Sequence, residues 1–335
     1  MPVDPIQTIQ PLTSRREISV TEPVGLAFER VKLMLFQPFD LGKWFVIGFC
    51  AWLAYLGEAG SGSGFGGNSN FGNHSGSSGT DIRHDLDQAK DWLLNNLDWI
   101  IPVAAFLVVA LLGLCLIFLW LNCRGKFMFL HCVALNRAEV TEPWNKFGPE
   151  ANSLFWFRLG LGLAGMVLTL PLLGIIAVLI LKMVYRGEPD MGAILLAIGL
   201  ALAFFLVAVV FALIRKFTVD FIVPIMLLRR SKCLAAWREF YRLLSARLGI
   251  FALYILFQIV LSMAITALVV LVVIVTCCIS CCLLMLPYVG TVVLLPVLIF
   301  KRAYPLHFLA QFGPEYDVFP PPPTAPPMPF PPPAR

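Results

Sequence analysis

The chain has 335 residues, 59% of them hydrophobic and 13% charged, with a formal net charge of +5 and a mean hydropathy of +0.83. The apolar share is far above that of a soluble globular domain and the charge far below it, which excludes an ordinary water-soluble fold. The apolar residues come in long uncharged blocks, so the expected organisation is one membrane domain over 24–312 with short attachments and no large catalytic domain.

The N-terminal segment 1–23 has no apolar run after Arg15 and Arg16 and does not read as a cleaved signal peptide. It is expected on the cytoplasmic side. Val24, Ala27, Phe28, Val31 and Leu35 then recur at three- to four-residue steps while Glu29, Arg30 and Lys32 fall elsewhere. That is the pattern of a helix half sunk in the headgroup layer. A first span is placed at about 40–57, short for a crossing, with a re-entrant segment as the alternative.

The outer loop 58–80 contains a Gly/Ser/Asn tract from Gly60 to Gly79 that has no apolar face to bury and reads as a tether. Asp81 to Leu97 carries a helical apolar stripe suited to the outer interface. Further spans are read at about 100–121, 159–181 and 193–214. Leu248 to Phe300 is uncharged but too long for one crossing, so it is expected to fold back as a hairpin, 248–273 and 280–300. Residues 313–335 form a Pro-rich tail that cannot sustain helix ladders and is expected to be disordered in the cytoplasm.

With six spans and the N-terminus inside, all of the 25 Lys and Arg except Arg83, Lys90, Lys182 and Arg186 fall on the cytoplasmic side. This favours a multi-pass protein with both termini inside. The segments beginning at Arg124 and Arg215 share an order of features: a Lys-Phe pair, an apolar stretch, basic residues, Trp144 or Trp237, and an Arg-Leu-Gly opening of the next span. Lys301 follows at a similar interval. The fold class expected is all-α integral membrane, about six transmembrane helices with interfacial amphipathic helices, either in three two-helix repeats or without a repeat, since any inner-face linker collects Lys, Arg and Trp.

The long spans contain no ionisable residue of the kind that ion-coupled transport uses. Gln258, Ser262 and Thr266 share one helix face, which would line a pathway or hydrogen-bond to a neighbouring helix, packing being favoured. Rows of small residues, Ala193 with Ala197 and Ala201, and Gly160 with Ala164, suit close helix approach. Cys277, Cys278, Cys281 and Cys282 offer thiolates for zinc or oxidation, but their apolar neighbours favour small-residue packing. His131 and His307 lack the spacing of a metal motif, and Asp220 within FTVDFIVP has Arg215 and Lys216 nearby as partners. No cofactor, metal or catalytic constellation is expected.

At MLLRRSKCLAAWREFYRLLSARLGIFALYILF, beginning at Met226, the chain resembles the membrane domain associated with bacterial glycerophosphodiester phosphodiesterases and its stand-alone relatives. The resemblance implies a fold of about six spans with a basic Ala-aromatic helix before a span, in a bacterial inner membrane. It carries no catalytic residues, because the soluble phosphodiesterase domain is lacking. The function expected is that of a non-enzymatic protein organising lipids or partner proteins. The alternative is a transporter or channel component for an uncharged or lipidic substrate. Expected partners are the bilayer, anionic lipid headgroups at the inner face, and a protein partner or a second copy, with no nucleic acid.

Overall fold

The computed structural model describes residues 18–57, 97–186, 191–276 and 286–319. The Gly/Ser/Asn tract, the stripe over 81–96, the cysteine cluster 277–282 and the tail from 320 lie outside the described residues. All regular structure among the described residues is helical.

The amphipathic lead forms α1 (Glu22–Leu35) and the first apolar segment forms α2 (Leu41–Tyr55). The next helices are α3 (Leu97–Leu135), the short α4 (Thr141–Lys146), α5 (Gly148–Arg186) and α6 (Met191–Phe217). A π-helical turn (Thr218–Ile222) joins α6 to α7 (Val223–Arg229), and α8 (Cys233–Ala246) and α9 (Leu248–Val275) follow. Beyond 286 come α10 (Pro287–Val293), α11 (Leu295–Ala310) and a single 3₁₀ turn, Pro314–Tyr316.

Four continuous helices, Asp98–Leu135, Gly148–Lys182, Ile194–Arg229 and Leu248–Val275, are long and apolar enough to cross a bilayer. Three of them outrun the spans read from hydropathy, because leaving hydrocarbon is not itself a helix stop. After Leu121, α3 continues through RGKFMFLHCVAL and ends where Asn136 turns to φ 58°. α7 ends in the same way at Arg230, φ 50°. Asn tolerates this left-handed conformation comparatively well, whereas Arg needs other contacts to hold it there.

The core lies at one end of these long helices. All of 122–134 of α3 but Arg124, all of 217–226 around the π turn but Val219, and most of 299–309 of α11 are buried, together with one face each of α1, α2 and α8. Apolar stretches such as Val103–Leu112 and Leu195–Leu206 are by contrast exposed along nearly their whole length. The molecule is thus a compact helical body from which four apolar helices project.

Aromatic rings fill the body. Phe221 stacks on Phe240 at 5.1 Å and meets Phe251 edge-on at 5.5 Å, and Tyr254 lies 4.6 Å from Phe308. Such ring pairs add roughly 0.5–1.5 kcal/mol each beyond area burial.

α2 runs antiparallel to the buried half of α3, held at both ends. Lys43 Nζ donates to Asn136 Oδ1 at 2.8 Å, and Asn122 Nδ2 donates to the terminal carbonyls of Ala54 (2.7 Å) and Leu56 (2.9 Å). Between these points Gly125 brings the backbones together: a Cβ there would stand 2.5 Å from Ala54 N and from Leu53 C. α10 closes on the other side of α2 at Gly48, where a Cβ would lie 2.6 Å from Val292 Cγ2.

Candidate functional site

Pro224 explains the most unusual backbone feature. Proline has no N–H and its ring collides with the carbonyl four residues back, here that of Asp220. The π turn over Thr218–Ile222 widens the helix just ahead of it, a common way of absorbing such a break. It leaves the Val219 carbonyl turned into the body, where buried Arg302 on α11 donates to it through Nη1 at 2.6 Å.

The same turn presents Asp220, 5% exposed, among aromatic rings. Its Oδ2 accepts from Tyr254 Oη at 2.9 Å and pairs with Lys216 Nζ at 2.9 Å. Gln258 Nε2 donates to the Tyr254 hydroxyl at 3.1 Å, extending the chain of contacts along α9. A buried carboxylate is tolerated only when paired and hydrogen-bonded, and this one is. The arrangement joins α6, α9 and the π turn.

The sequence-derived polar face is only partly assembled. Gln258 enters the Asp220 network, but Ser262 Oγ donates to Ile259 O and Thr266 Oγ1 to Ser262 O, and both residues are exposed. Their hydroxyls are satisfied by their own helix. Cys277, Cys278, Cys281 and Cys282 lie outside the described residues. Among the described residues no group of three or more His, Cys, Asp or Glu is placed to hold a metal ion. Close approach between α5 and α6 occurs at Gly165, where a Cβ would lie 3.4 Å from Phe211, and Gly160 faces open space.

Two features of this end of the molecule were missed in the sequence. Arg30 forks onto the last carbonyls of α3, donating to Val133 O (3.0 and 2.8 Å) and Ala134 O (2.6 Å). Arg124 lies between the rings of Trp120 and Trp144, 4.6 Å from each. The only available signal was the density of Arg and Trp in the linkers, which indicates an interface without naming contacts.

The projecting apolar helices and one-ended body define an all-helical, multi-pass membrane protein. The chain belongs to DUF7544, a family of unknown function, which it matches over residues 18–286. No curated protein and no solved structure matches it.

Proposed function

We propose that the chain crosses the bilayer six times, in three two-helix units with both termini on the cytoplasmic face of an inner membrane, and acts there as a non-enzymatic organiser of lipids or partner proteins. The observation that carries this reading is the meeting of distant segments in one body. Ser19 N donates to Gln311 Oε1 at 2.8 Å, Tyr304 Oη donates to Val20 O at 3.0 Å, and Arg30 caps the end of α3. The N-terminal helix, the end of α3 and the C-terminal helix therefore share one side. Since α3 then begins on the opposite side, one further crossing is needed between α1 and α3; α2 lies beside the buried half of α3, between Asn122 and Asn136, so a crossing by α2 requires that side of the body to sit within the bilayer. The same parity asks for a crossing between α9 and α11.

Three features support the repeat. The buried segments after Lys126, Lys216 and Lys301 form the body together, and positive-φ residues follow them at Asn136, Arg230 and Gly313. α1 packs on α11 and α8 beside the π turn, as interfacial helices that open their units. The resemblance to phosphodiesterase-associated membrane domains belongs to the same reading, as a lipid-facing fold.

The alternative is a transporter or channel component for an uncharged or lipidic substrate. It draws on Gln258, which reaches the buried Asp220 network, but the self-satisfied Ser262 and Thr266 give that path no continuation. Reconstitution of the full chain into vesicles of mixed phosphatidylglycerol and phosphatidylcholine separates the two. The organiser reading expects anionic lipid to concentrate around the labelled protein, by energy transfer, with no release of an encapsulated uncharged solute. Solute flux lost on Gln258→Leu, or lipid distribution unaffected by the protein, overturns it.

A further inference from the structure

α8 is the most amphipathic of the short helices. Cys233, Ala236 and Phe240 face the body, and Leu234 and Tyr241, 72% and 65% exposed, form a strip on one flank. Next to that strip, further round the helix, come Arg238 and Arg242, and beyond them Ala235 and Glu239. A hollow of about 490 Å³ opens there, lined by Arg238, Arg242, Ala235 and Glu239 of α8, by Arg229 at the end of α7, and by Tyr316 of the 3₁₀ turn.

The charges within the hollow are unevenly used. Arg229 reaches Glu239 at 3.1 Å and Glu315 at 3.2 Å and lies over the Tyr316 ring at 5.8 Å. Both carboxylates are thereby engaged by a single guanidinium, whose position they fix. Among the described residues, no ion pair or hydrogen bond is formed by the side chain of Arg238 or Arg242. These two like charges sit one helical turn apart on the same face, a spacing that is destabilising unless an anion intervenes.

We infer that this hollow is a binding site for a phosphate group, held between the Arg238 and Arg242 guanidinium forks with Arg229 behind them. Guanidinium groups match phosphate oxygens in bidentate geometry and are less strongly hydrated than ammonium groups. Ala235 leaves the floor open for the anion. The exposed Leu234 and Tyr241 strip places the arginines at the depth where an apolar side chain meets acyl chains and a basic one meets headgroups. The group has two sources, an anionic lipid headgroup or free phosphate. The inference rests on the lipid-organising reading for the first source only.

The test is native mass spectrometry of the full chain, titrated separately with phosphatidylglycerol, phosphatidylcholine, glycerol phosphate and inorganic phosphate. Wild type is expected to bind a first phosphatidylglycerol about tenfold more tightly than phosphatidylcholine. R238A/R242A removes that margin, R238K/R242K restores it in part, and K32A/R137A, which removes equal charge elsewhere on the body, leaves it intact. Arg-dependent binding of inorganic phosphate or glycerol phosphate without a phosphatidylglycerol margin keeps the site and assigns it to free phosphate. A wild-type margin that R238A/R242A leaves unchanged in folded protein overturns the site but spares the lipid-organising reading. No phosphatidylglycerol margin and no phosphate binding in wild type overturns the site, and unaltered lipid distribution in vesicles then removes the broader reading as well.

Discussion

At Gly125 a single methyl group would meet the backbone of α2 at 2.5 Å, and backbone cannot rotate aside as a side chain does. Gly125→Ala is expected to lower stability in detergent by about 2–3 kcal/mol, measured by thermal unfolding. Gly25→Ala, facing open space in α1, should be neutral or stabilising by roughly 0.5–1 kcal/mol; similar effects for both would contradict the packing described. Asp220→Ala removes the acceptor that serves both Lys216 and Tyr254. Because the Lys216 side chain is 43% exposed and regains water, the expected cost is about 2 kcal/mol, below that of a fully buried pair. Tyr254→Phe in the same background should add less than it costs alone, and full additivity in a double-mutant cycle would deny the coupling. His307 stacks on Phe319 at 4.2 Å. Burial foremost, then the charge of Arg30, pushes its pKa from 6.5 down to about 4, with Asp317 opposing. The neutral ring is thus favoured by the fold. Its stabilisation is full above about pH 6.5 and is lost as the pH falls toward 4, since the unfolded chain takes up the proton first. His307→Phe should flatten that part of the stability profile, whereas an unchanged loss between pH 6.5 and 4 would place its origin elsewhere.

The helices show how a partly buried terminus is secured. The last carbonyls of α2 are taken by Asn122 and those of α3 by Arg30, two side chains from other elements serving groups that a helix end leaves orphaned. Arg30→Ala should cost about 2 kcal/mol and raise hydrogen exchange over 130–135. Arg30→Lys, which keeps the charge but not the fork, should recover less than half, and full rescue by Lys would argue that charge alone matters. The long apolar helices were legible in the sequence because uncharged runs of that length have few other fates. Their extensions were not, since RGKFMFLHCVAL is no longer a membrane run and its partners come from α1 and α2, which contribute nothing local to it. In FTVDFIVP the sequence reading singles out Asp220 alone, and the π turn ahead of Pro224 is not foreseen, since the Val219 carbonyl it turns inward finds its partner only in Arg302, 83 positions away. The four-residue spacing of Gln258, Ser262 and Thr266 puts them one turn apart along α9. It did not reveal that two of the three hydroxyl and amide groups turn back to their own backbone, a choice that period alone does not encode.

At the scale of the whole molecule, the division between a packed body and exposed apolar helices follows from two solvents. In the body, aromatic and aliphatic side chains bury one another, while in the bilayer a Leu gains little by exchanging lipid for a neighbouring helix. The body carries Arg124 and Lys216 where α3 and α6 enter it and Arg229, Arg230 and Arg302 further along the chain, the distribution expected of a cytoplasmic face. α2, with 15 residues, is about 22 Å long, shorter than the ~30 Å hydrocarbon layer. Because α2 runs beside residues 122–136 of α3, it crosses only if that side of the body sits within the hydrocarbon and the bilayer thins or the flanks are drawn in. The six-crossing arrangement, with the body on the cytoplasmic side, is tested most directly by labelling single cysteines in intact cells, placed at Ser69, Arg137, Gly187 and Ala325 in a cysteine-free background. The account predicts that an impermeant reagent modifies Ser69→Cys and Gly187→Cys at once, and Arg137→Cys and Ala325→Cys only after permeabilisation. Labelling of Arg137→Cys from outside, or protection of Ser69→Cys together with it, would contradict the account.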